Sequence, residues 1–85
     1  MTIEDHSILA KIVVDIAIFC EFTNDDLLNE DTAVEMLEQL AFRLKELDTV
    51  DKADITAQFE RLSLDYPQEK IADFVRGLPE SLGIA

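Results

Sequence analysis

The sequence predicts an all-α fold: a small four-helix bundle whose neighbours run mostly antiparallel, finished by a short C-terminal turn. Three observations predict it. Apolar residues recur at spacings of three and four in successive stretches, the period of a helix face. No stretch alternates polar and apolar residues in the manner of a half-buried strand. There are only two glycines and two prolines, so little interrupts the periodic segments. A length of 85 residues suits one domain, 1–85, burying about 60–65% of the surface its unfolded chain exposes. With 48% hydrophobic residues the chain is expected to fold despite a net charge of −12.

The stretch 8–22, ILAKIVVDIAIFCEF, organises the rest: twelve of its fifteen residues are apolar, the exceptions being Lys11, Asp15 and Glu21. Ser7, Lys11 and Asp15 share a narrow polar stripe, which Val14, Ile18 and Phe22 then interrupt. A helix that is apolar nearly all round must be covered nearly all round, so this one is expected at the centre, over 5–22, with Asp5 as its cap. Three amphipathic helices leave part of it uncovered. The expected exposed part is Val14, Ile18 and Phe22, a candidate homodimer contact. The alternative is that Leu27 and Leu28 of the following loop fold back over it.

After the polar break at 23–26, Thr32 with Glu35 three residues on matches a capping box and marks the second helix, expected to reach about Leu47. Its core stripe is Ala33, Leu37, Leu40, Leu44 and Leu47, widened by Met36 and Ala41. A short connection at 48–51 leads to a third helix with Ile55, Phe59, Leu62 and Tyr66 on one face. Pro67 suits the first turn of a fourth, which carries Ile71, Phe74, Val75 and Leu78 and closes around Gly77. Residues 79–82 add one turn before Gly83 and a ragged end.

Nineteen acids against seven bases exclude the basic surface that nucleic-acid binding needs, and disfavour an anionic membrane for the same reason. A cationic protein partner is favoured. The acidic N-terminus lacks the charge of a signal peptide, the run 8–22 is short for a bilayer span, and the single cysteine, Cys20, allows no internal disulfide. These readings place the chain in the cytoplasm.

Between Lys11 and Arg43 there is no basic residue, while Asp15, Glu21, Asp25, Asp26, Glu30, Asp31, Glu35 and Glu38 all fall in the interval. Helix-dipole and capping chemistry accounts for Asp31 and Glu35. It does not require the others, so Asp25, Asp26, Glu30, Asp31, Glu35 and Glu38 form the candidate partner-binding strip. Tyr66, Phe42 and Phe22 are the candidate anchors beside it.

No catalytic, metal or cofactor signature is present. His6, the single histidine, falls in an expectedly frayed terminus and has no partner spacing for zinc with Cys20. Asp48, Asp51 and Asp54 lack the glycine and closing glutamate of a calcium loop. Length, acidity and helix number are similar to those of acyl carrier proteins. However, the attachment serine of their Asp-Ser-Leu motif is replaced here, in Asp31-Thr32-Ala33, by a threonine, which does not normally carry the arm. The chain is therefore expected not to be an enzyme or carrier.

The acidic charge, the length, the helical bundle and the tail Tyr66-Pro67…Phe74-Val75-Arg76-Gly77-Leu78-Pro79-Glu80-Ser81-Leu82-Gly83 together resemble small bacterial immunity proteins. The resemblance implies a protein that neutralises a basic toxin by binding it, and it transfers no individual binding residue. The other expectation is an acidic homodimeric adaptor with a structural or regulatory role.

Overall fold

The computed structural model describes residues 6–24 and 26–85, and among them there is no strand. Five helices follow one another: α1 (Ser7–Phe22), α2 (Glu30–Leu44), α3 (Thr49–Ser63), α4 (Glu69–Arg76) and a single turn, α5 (Leu78–Ser81). As the composition of 8–22 requires, α1 is central, packing on α2, α3 and α4. α3 lies closely against α4, and α5 closes over both.

The core face of α1 is made of small residues. Ala10, Val14 and Ala17 are fully buried, which lets neighbouring helices come close, since the distance between axes is set by the side chains at the contact. The volume is supplied from the other side by Ile55 and Phe59 of α3, Val75 of α4, and Leu78, Leu82 and Ile84. The expected faces of the third and fourth helices pack here as their spacing predicts. α2 differs: Leu37, Leu40, Ala41 and Leu44 are half-buried against the core, and among the described residues of this helix Ala33 alone is buried. It leans on α1 and is the least covered of the longer helices.

Side-chain caps set the starts of α2 and α3, and both starts differ from the expected ones. Asn29 Oδ1 accepts from the Thr32 amide at 3.1 Å, so α2 begins at Glu30 and Thr32 is no cap. Asp48 Oδ1 accepts from the Asp51 amide at 2.8 Å, turning the supposed connection at 49–51 into the first turn of α3. Pro67 precedes Gln68, the residue at the N-cap of α4, and so stands just outside the helix. His6 takes the cap position of α1, and the expected cap, Asp5, lies outside the described residues.

The C-terminal residues are ordered by a Schellman motif. Gly83 has φ +75°, its amide donates to Glu80 O at 3.1 Å, and the Ile84 amide donates to Pro79 O at 2.9 Å. Ile84 is thereby folded into the core instead of fraying. Gly83→Ala is expected to cost about 1 kcal/mol, because a Cβ disfavours the left-handed conformation. The added carbon would also lie 2.6 Å from Lys45 Cε, but that flexible chain can give way. A lower urea midpoint with an unchanged slope is the measurement that checks it.

Candidate functional site

With α2 starting at Glu30, residues Asp31, Glu35, Glu38 and Phe42 follow at spacings of four, three and four and share the face turned away from Ala33, Leu37, Leu40 and Leu44. All four are exposed, as are Asp26 and Glu30 at the entry to the helix, while Asp25 lies outside the described residues. Glu30 and Asp31 occupy the first turn, where the helix dipole favours them. Glu35 and Glu38 lie beyond its reach, so the earlier start of α2 leaves Glu35 without a dipole role. Among the described residues no cation pairs with Asp26, Glu30, Asp31, Glu35 or Glu38; the ion pairs are His6 with Asp51 and Asp54, Lys11 with Asp15, Arg43 with Glu46, and Arg76 with Asp73. Arg43, at the end of the strip, is drawn to Glu46 at 3.3 Å and sits 5.7 Å from the centre of the Phe42 ring. Glu35, Glu38, Gln39, Phe42 and Arg43 border one shallow depression.

Of the three candidate anchors, the structure leaves Phe42 available, at 64% exposed. Phe22 is a packing residue, edge-to-face on Phe74 with ring centres 5.3 Å apart and the Lys70 ammonium 5.6 Å from its centroid. Tyr66 is half-buried and accepts at its hydroxyl from Lys11 Nζ at 3.3 Å.

The expected dimer face is corrected. Val14 is 0% exposed, Ile18 packs against the core, and Phe22 is held by Phe74. The exposed apolar residues of α1 are instead Ile8 (68%), Leu9, Ile12 (49%) and Phe19 (56%), roughly a third of a turn away. Nor does the loop cover α1 as the alternative supposed, because Leu27 is 83% exposed and Leu28 only half-buried. The polar stripe of α1 borders the seam with the α3–α4 connection: Lys11 Nζ lies 2.6 Å from Asp15 and beside Tyr66. Its bonds to Asp15 and then Tyr66 raise the Lys11 pKa. A raised value means this contact is fully present below the unfolded lysine pKa and is lost only as pH climbs through the folded one.

Beside Phe19 a cleft of about 300 Å³ opens between α1 and α2, lined by Ile16, Phe19, Cys20, Leu28, Thr32, Ala33 and Met36, with no polar surface. Cys20 is buried, and desolvation pushes its thiol up, away from the reactive thiolate. Sequence reasoning missed this cleft, although Met36 at the margin of the core stripe and the all-round apolarity of α1 were its signals.

His6 is not frayed: its Nδ1 lies 2.5 Å from Asp54 Oδ2 and its Nε2 4.0 Å from Asp51 Oδ1, fastening the start of α1 to α3. Asp48 is the cap of α3, while Asp51 and Asp54 both face His6. Among the described residues no three His, Cys, Asp or Glu side chains group as metal ligands, and no helix is long and apolar enough to cross a membrane. Compared with protein-family models, with curated proteins and with solved structures, the chain matches none.

Proposed function

We propose that this chain is an acidic protein-binding module that acts as an immunity-type inhibitor in the cytoplasm, neutralising a basic toxin domain by binding it. The observation that supports the reading is the outer face of α2, where Asp31, Glu35 and Glu38 stand exposed and unpaired beside Phe42. Maintaining several like charges on one helix face costs stability, since like charges at that spacing repel. Presented to a cationic surface, the same charges raise the association rate and reject acidic competitors, while an aromatic such as Phe42 lengthens the life of the complex.

The test replaces Glu30, Asp31, Glu35 and Glu38 with lysine and measures association with a basic toxin domain encoded beside the gene. All four positions are exposed, so the variant is expected to stay folded. Association is expected to slow by about tenfold or more at low ionic strength, with the difference shrinking as salt screens the surface. Protection of cells expressing the toxin should fall in parallel. Equal association rates for the two proteins at low salt would reduce the strip to a solvating surface and end the proposal.

A further inference from the structure

α1 distributes its side chains against the usual order. Its core face is Ala10, Val14 and Ala17, whereas its large apolar residues Ile8, Ile12 and Phe19 face solvent. Ile8, Ile12 and Ile16 form one row at spacings of four, and the end of that row, Ile16 with Phe19, is one wall of the α1–α2 cleft. Met36 and Thr32 form the other wall, with Ala33 and Cys20 buried beneath. Scattered exposed apolar side chains are ordinary, but a continuous row leading into an apolar cleft marks a contact surface.

The banks of this lane decide what fits it. Asp31 and Glu35 each precede a residue of the α2 wall, while on α1 Asp15 is already paired with Lys11 at 2.6 Å. A second copy would bring its own acids and a net charge of −12 against them. A helix with one apolar face and basic flanks meets both features at once. We propose that the α1–α2 cleft, extended by the Ile8–Ile12 row, seats a basic amphipathic helix of the partner. The apolar face of that helix lies on Ile12, Ile16, Phe19 and Met36, and its lysines or arginines lie against the unpaired Asp31 and Glu35. The inference rests on the reading of the chain as a binder of cationic protein and names the element bound.

Two lysine–leucine peptides of identical composition test it against the full chain: one arranged as an amphipathic helix, the other with its leucines dispersed so that no apolar face forms. The amphipathic peptide is expected to bind at least about tenfold more tightly and to retain binding at about 0.5 M salt, where exposed charges are screened. Phe19→Asp and Met36→Asp sharpen the test because each adds negative charge. Pure charge attraction predicts tighter binding by these variants, whereas a seat in the cleft predicts binding weaker by about tenfold. Circular dichroism of both variants should match the parent, as both side chains are exposed.

Equal affinity for the two peptides, lost together in salt, overturns the cleft and leaves the acidic-surface reading standing. Undiminished binding of the amphipathic peptide by the four-lysine variant overturns both readings, because Asp31 and Glu35 belong to the acidic strip and to the banks of the cleft alike. Failure of both peptides to bind at low salt, or a dimer in sedimentation that Phe19→Asp dissolves, also overturns the proposal.

Discussion

Val14→Asp is expected to leave the chain unfolded at room temperature, with the helical circular dichroism lost and no cooperative transition in urea. Val14 is fully buried on the core face of α1, between Ala10 and Ala17. Replacing it loses roughly 1.5–3 kcal/mol of apolar burial. It also places a carboxyl among hydrocarbon, where the charged form loses its solvation and even the neutral acid costs about 1–3 kcal/mol without a partner. Keeping that acid neutral at pH 7, about three pH units above the ordinary aspartate value, costs about 4 kcal/mol more, and the sum of roughly 7–10 kcal/mol removes most or all of the roughly 4–13 kcal/mol of net stability a domain of this length has. The matched control is Phe19→Asp on the opposite side of the same helix, expected to cost no more than about 1 kcal/mol. A folded, soluble Val14→Asp protein would show that the inward face of α1 has been assigned to the wrong side.

That contrast marks where the sequence was legible and where it was not. The helical period of α2, α3 and α4 can be read because each has one apolar face, and Ile55, Phe59, Val75 and Leu78 pack as that period requires. α1 cannot be oriented in the same way, since its apolarity runs nearly all round and leaves little preferred direction. The orientation is fixed by size, which hydrophobicity does not report: Ala10 and Ala17 allow close helix approach where Ile8, Ile12 and Phe19 would hold neighbours apart. Expecting Val14, Ile18 and Phe22 to be uncovered misplaced the exposed face, because the polar stripe they interrupt borders a seam, where Lys11 bonds to Asp15 and Tyr66. The acidic strip was legible as composition, while its geometry depended on Asn29 capping α2 ahead of Thr32. Two adequate caps three residues apart cannot be ranked from sequence alone, and the choice between them decides whether the dipole accounts for Glu35.

Phe59→Ala is expected to cost about 3–5 kcal/mol, read as a lower urea midpoint at an unchanged slope. Phe59 is the largest of the fully buried side chains and sits in α3, which packs against α1, α4 and α5. Helices on several sides limit how far the surroundings can collapse into the space an alanine leaves, and the cost of such a substitution grows with the cavity that remains. Phe42→Ala removes the same ring from the solvent face of α2 and should change stability by no more than about 0.5 kcal/mol. The pair therefore separates folding from recognition. Phe59→Ala should weaken partner binding only through the fraction of chain still folded, whereas Phe42→Ala should shorten the life of the complex in a fully folded protein. If the two substitutions cost the same stability, α3 is not the wall that α1 rests on. The row Ile8, Ile12 and Phe19 would then lose its claim to face solvent, because it faces outward only while Phe59 fills the space beside Ala10, Val14 and Ala17.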